Sequence, residues 1–196
     1  MKLKLVLVIF IACLVLSLAI TFAVFSFIKE SPRSNLPVLG HVQDFVLKDS
    51  TGREFNSGQL KGKVWIASFF FTTCGDICPL ISKNMASLSR TFERVDGITL
   101  VSITVNPEQD SPEALALYAK EFKGNKKNWR FLTGSRKAIT GIVVESFKVG
   151  DIQEPIFHSA FLPLVDSNGF IRGYYDGTKQ KEINRLFRDA AHLARR

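Results

Sequence analysis

"LKGKVWIASFFFTTCGDICPL", residues 60–80, changes character twice. Gly62 ends a turn, and Val64 to Phe71 is then an apolar run broken only by Ser68. A run bounded in this way predicts a central strand buried on both faces. Beyond Cys74 the period changes. Leu80, Met85, Leu88 and Phe92 recur at helical spacing, which predicts a helix over about residues 77–93. Cys74 and Cys78 therefore sit where a central strand hands over to a helix. In open α/β sheets that carboxyl-end edge is where sites form.

Outward from this stretch, strand and helix patterns alternate. "DFVLKDSTGREF" places two short apolar stretches around Asp49-Ser50-Thr51-Gly52, a hairpin signal. "GITLVSITV" predicts a second buried strand. Ser111 as N-cap, Pro112 at the first helical position and Glu113 in the first turn predict a helix start. "WRFLTG" reads as a short strand. Ser135 opens a helix with Ile139, Ile142, Val143 and Phe147 on one face. "SAFLPLVDSNGFIRGYY" is two strands joined at Ser167-Asn168-Gly169. Glu182 to Leu193 closes the chain as a helix with Ile183, Leu186, Phe187 and Ala190 inward. The order is hairpin, β, α, β, α, β, α, β-hairpin, α. It predicts a mixed sheet, partly parallel, with helices on both faces.

Leu5 to Ile28 carries no charge, and Ser17, Thr21 and Ser26 are its only strongly polar members. About 20 apolar residues span a bilayer core, so this run predicts one transmembrane helix. A cleaved signal would carry a shorter apolar stretch and a small-residue cleavage site, and no clear site of that kind stands near Ile28. A lipid-modified Cys13 fits less well, because the run continues well past it. The expected organisation is a short cytoplasmic tail at 1–4, an anchor at 5–28, a linker at 29–39 and one domain over 40–196. The short tail favours leaving the amino terminus in the cytoplasm of a bacterium. The domain is then expected to face the periplasm from a single-pass inner-membrane anchor, where thiols meet oxidants. The net charge is +8, concentrated in Lys120–Lys137 and Lys179–Arg196. Aromatic residues do not interleave with these charges. A nucleic-acid surface is therefore not expected, and a solvated basic face near anionic lipid is.

The chain has three cysteines and three histidines. Cys74 and Cys78 stand one helical turn apart and share a face if both lie in the first turn. A helix N-terminus stabilises thiolate, so two accessible, acidified thiols are expected. Such a pair suits Cu(I), and it can equally close a disulfide. Structural zinc would need four ligands, more than the pair supplies. Among the histidines, His192 is expected to be solvated in a terminal basic helix and His41 to lie at the surface. His158 directly precedes the strand "SAFLPLVD", at a strand edge that can lie beside the Cys74 loop. Two cysteines and one histidine would suffice for trigonal Cu(I). Five readings stay open on the residues alone: a metal site, a redox couple, a structural disulfide, plain packing and a peroxide-reducing site.

The residues also resemble a family. "FTTCGDICP" is similar to the F-T-x-C-P-D-x-C-P motif of the Sco/SenC proteins, membrane-anchored copper-binding assembly factors of cytochrome c oxidase. "LKGKVWIASFFFT", "VSITVNPEQDSPEALALYAKEF", "FLTGS" and "HSAFLPLVDSNGFI" resemble further blocks of that family in order, over roughly residues 40–190. His158-Ser159 matches the family's D-H-S histidine, with Phe157 in place of Asp. Gly75 replaces a Pro. Asn106 and Gln109 replace the Asp and Arg of D-P-x-R-D-T-P, and Ser111 replaces its Thr. The stretch between Phe147 and His158 is short.

The resemblance implies a thioredoxin-like α/β fold and copper as the bound metal, as Cu(I), with Cu(II) left open. It implies Cys74, Cys78 and His158 as ligands. The implied role is a metallochaperone, not an enzyme in the strict sense, that helps assemble the CuA centre. Its expected partners are cytochrome c oxidase subunit II or another cuproprotein, and a thiol reductant. The alternative is a periplasmic thiol–disulfide oxidoreductase in which Cys74 attacks and Cys78 resolves. Asp76 is expected either to bias the loop electrostatically or to be a solvated turn residue.

Overall fold

The computed structural model describes residues 13–18, 20–21, 36–124, 127–149 and 160–195. The anchor expected at 5–28 lies mostly outside them; its described residues are helical and exposed. Among the described residues no helix is long and apolar enough to cross a membrane. The domain forms its own unit, Leu36–Arg196.

Its strands are β1 (Gly40–His41), β2 (Val46–Asp49), β3 (Glu54–Asn56), β4 (Val64–Phe70), β5 (Ile98–Thr104), β6 (Trp129–Thr133), β7 (Phe161–Val165) and β8 (Phe170–Asp176). Its helices are α1 (Cys78–Phe92), α2 (Pro112–Glu121), α3 (Arg136–Thr140) and α4 (Gln180–Leu193). One mixed sheet runs β1-β8-β7-β4-β5-β6-β2-β3. The three central strands, β4, β5 and β6, are parallel, and every other pairing is antiparallel.

All seven residues of β4 are buried, as a strand covered on both faces requires. Val64, Ile66 and Phe70 enter one core, with Met85, Leu115, Leu186 and the two cysteines. Trp65, Ala67 and Phe69 enter the other, with Ile139, Val143 and Phe147. Ser68 breaks the apolar run without penalty, because its hydroxyl meets that of Ser102 at 2.7 Å, and Ser102 Oγ also accepts from Trp129 Nε1 at 2.9 Å. A buried polar group paired in this way costs little.

Both hairpins form where the turn chemistry puts them. Asp49 Oδ1 accepts from Thr51 N (2.8 Å) and Arg53 N (3.1 Å), and Gly52 takes φ 78° between β2 and β3. Asp166 Oδ1 accepts from Asn168 N and Phe170 N, and Gly169 takes φ 85° between β7 and β8. The N-caps predicted at Ser111 and Ser135 accept from Ala114 N and Ala138 N. α4 turns Ile183, Leu186 and Ala190 inward, with Phe187 packed at the edge.

Three features were not legible, the first a short 3-10 helix over Ser57–Leu60. A two-residue strand, β1, pairs with β8 ahead of the first hairpin. The helix opened by Ser135 is α-helical only to Thr140 and continues as a π-helix over Gly141–Ser146. Its predicted inward residues are nevertheless all buried.

Candidate metal centre

β4 ends at Phe70, and the chain then turns so that Cys74 N donates to Phe71 O at 3.2 Å. Cys78 is the first residue of α1 and Pro79 the second, where a missing N–H loses no partner. α1 has no side-chain cap and no acidic residue in its first turn, so its leading amides are left to other acceptors. Parallel strands on one side and α1 on the other thus bring both thiols to the carboxyl edge of the central strand.

The expectation of accessible thiols is corrected for both cysteines, and that of an acidified thiol for Cys78. Cys74 is 7 % exposed and Cys78 1 %, and both are free. Gly75 and Asp76, between them, are the exposed part of the loop. Burial pushes the Cys78 thiol up to about 12, helped by the hydrogen bond its S–H shares with Cys74; a backbone hydrogen bond from Phe71 opposes the rise. The helix dipole is outweighed because the Cys78 side chain is turned into the core with Ile81, Met85 and Tyr118. Asp76, solvated as one of its two readings had it, adds a small further push in the same direction.

Tyr118 is buried in the same core as the two cysteines. Its ring stacks on Phe70 with centroids 4.8 Å apart, and its hydroxyl meets Ser82 Oγ at 2.8 Å. Burial raises its phenol well above the ordinary range, and the neighbouring cysteines raise it further. The sequence reading singled out neither Tyr118 nor Ser82. Their only signal was helical spacing, four residues beyond Ala114 and Cys78.

The departures from the family pattern fall into place locally. Asn106 Nδ2 donates to Gln109 Oε1 at 3.0 Å, so the two amides that stand for an Asp and an Arg partner each other. A Cβ added at Gly75 would meet nothing within 4 Å. The absence of a side chain there is not demanded by crowding.

His158 lies outside the described residues, as does Phe157. Among the described residues no group of three His, Cys, Asp or Glu side chains is placed to hold a metal ion. His41 is exposed, edge-on to Phe170 at 5.0 Å, as expected of a surface residue. His192 is a correction: its Nε2 is enclosed and has no hydrogen-bond partner among the described residues. It sits one residue from Leu193, at the border of the buried stripe of α4, not on its solvated side.

A mixed sheet with helices on both faces and two thiols at the end of its central strand defines a thioredoxin-like protein with a dithiol site. The SCO1/SenC family matches residues 37–194, and the chain belongs to that family. Three solved structures fix the likeness. A SCO1/SenC family lipoprotein from Bacillus anthracis is 32 % identical, with a TM-score of 0.73 over 82 % of this chain and 98 % of that one. BsSco, a member of the Sco family of cytochrome c oxidase assembly proteins in which a disulfide switch has been identified, is 28 % identical (TM-score 0.67, 81 % and 96 % covered). Yeast Sco1, solved with copper bound, is 26 % identical (TM-score 0.61, 78 % and 92 % covered).

Proposed function

We propose that this chain is a membrane-anchored copper metallochaperone that carries Cu(I) on Cys74, Cys78 and His158 and helps assemble the CuA centre of cytochrome c oxidase. The observation that carries the reading is the pair of free, buried thiols that share one core just beyond the end of β4. Copper is the cargo. Two thiolates and one imidazole match its preference for soft ligands and low coordination. The apolar side chains that share this core, Phe70, Ile81 and Met85, keep water from the thiols. The exposed Gly75-Asp76 segment leaves a side on which an acceptor's ligands can replace the donor's one at a time. The run Leu5–Ile28 anchors the chain in a bacterial inner membrane, with residues 40–196 in the periplasm beside the oxidase subunit that receives the metal. Copper-bound yeast Sco1 and the oxidase-assembly role of BsSco support this reading.

The thiol contact also favours a second reading, a thiol–disulfide oxidoreductase. Cys74 attacks a partner's disulfide, one partner sulfur leaves as thiol, and Cys78 then closes on Cys74 and releases the other. The deeper burial of Cys78 suits the resolving role.

A strain carrying His158→Ala separates the two. Copper delivery requires that histidine, so the recipient oxidase should lose its copper while Cys74 and Cys78 still cycle between thiol and disulfide. Full copper loading in that strain would reverse the choice.

A further inference from the structure

Asp110 was assigned no role by its sequence motif, yet it is fully buried, at 0 % exposure. Its carboxylate accepts the backbone N–H of Thr72 (3.1 Å to Oδ2), the hydroxyl of Thr72 and the hydroxyl of Thr104. The directions are fixed. Thr104 Oγ1 already accepts the N–H of Asn106 at 2.9 Å, so its proton points to Asp110. A backbone N–H can only donate. The three groups therefore offer donors to a side chain that, as a carboxylate, only accepts. An amide in its place would set N–H against N–H.

These contacts join three elements at one point. Thr104 is the last residue of β5. Asp110 immediately precedes Ser111, the N-cap of α2. Thr72 is the second residue of the turn that Cys74 closes on Phe71. Without the carboxylate, the turn would lose both bonds from Thr72, leaving Cys74 N on Phe71 O at 3.2 Å to close it.

We propose that Asp110 is a positioning residue for the dithiol site: by gripping Thr72 it holds the turn that aims Cys74 at Cys78. The inference rests on the copper reading of that pair. Preorganised ligands bind tighter because the cost of ordering is met in the fold.

The test compares Asp110→Asn with Asp166→Asn in the reduced full-length chain in detergent. Asp166 is a second buried carboxylate, paired to Arg172 at 2.7 Å, at the β7–β8 turn. That turn follows Val165, which pairs with Trp65 near the start of β4, at the opposite end of the strand from the cysteines. Tm, Cu(I) affinity against a chromogenic chelator, and the Cys74–Cys78 reduction potential are measured for each. Asp110→Asn should weaken Cu(I) binding about tenfold and move the potential by about 30 mV, the equivalent of a tenfold change for a two-electron couple. Asp166→Asn should lower Tm at least as much and move neither. Thr72→Val, which keeps the fold's carboxylate, should shift affinity in the same direction and serves if Asp110→Asn does not fold. Unchanged affinity and potential in Asp110→Asn would overturn the proposal, as would losses in both variants that simply follow Tm. If the wild type takes up no Cu(I), the copper reading fails and the potential alone decides: a shift confined to Asp110→Asn upholds the positioning role, and no shift removes it.

Discussion

Cys78 combines two opposed influences. It begins a helix, which favours thiolate, and it is buried, which disfavours it; burial wins. A proton held to about pH 12 must leave when a metal arrives, so uptake of Cu(I) is coupled to proton release. The affinity of the reduced chain should therefore rise with pH, about tenfold per pH unit for each proton displaced, over roughly pH 6 to 8. Chelator competition at several pH values checks this, and a pH-independent affinity would show that the thiol is already ionised. The same burial should make Cys78 slow to alkylate at neutral pH until the fold is opened by denaturant. None of this was readable from the spacing of the cysteines. Spacing places Cys78 at the helix start, while its burial depends on Tyr118, Met85 and Ile81 closing over it from two helices.

At the scale of elements, local chemistry was the legible part. The β4 run, the caps at Ser111 and Ser135, and both hairpin turns formed as their residues dictate, because each is decided by neighbours within a few positions. β1 was missed because two residues carry no period; it exists only through its pairing to β8, far along the chain. The π-helix after Thr140 was missed for a related reason. Ile139, Ile142, Val143 and Phe147 fit a helical face, and the slip to wider turns lets Phe147 reach Trp65 and Phe69 edge-on, with centroids 5.7 and 5.2 Å apart. Asp110 stayed silent because its partners, Thr72 and Thr104, come from two other segments. The cap at Ser135 gives a simple check on this level. Ser135→Ala should destabilise the domain by about 1 kcal/mol in denaturant unfolding, through loss of the bond from Ala138 N. No change in the unfolding midpoint would mean that the cap is replaced by water.

At the scale of the whole molecule, the domain holds protonated groups more tightly than the unfolded chain does. Cys78, Tyr118 and Tyr175 are all raised by burial. A raised group contributes stability that is complete below its unfolded pKa and is lost as pH climbs through the folded one. The reduced protein should thus lose stability from about pH 9, the ordinary thiol value, towards about pH 12. Acid acts with the opposite sign. Asp176, held down to about 2 by its bonds to Lys179 and Thr178, contributes stability that is present above 3.8 and lost as pH falls towards 2. Chemical denaturation across both ranges reads these slopes, and a flat alkaline limb would contradict the buried hydroxyls and thiol. The proposed anchor is tested at this scale too. The full chain should stay with membranes through alkaline carbonate washing, and recovery of a mature chain beginning near residue 29 would replace the anchor with a cleaved signal.

The measurement closest to the central claim is X-ray absorption at the copper edge of the Cu(I)-loaded full-length chain, wild type beside His158→Ala. The wild type should show two sulfur scatterers and one imidazole, and His158→Ala should keep the sulfurs and lose the imidazole. A sulfur-only site in the wild type, or imidazole scattering that survives His158→Ala, would contradict a site built from Cys74, Cys78 and His158.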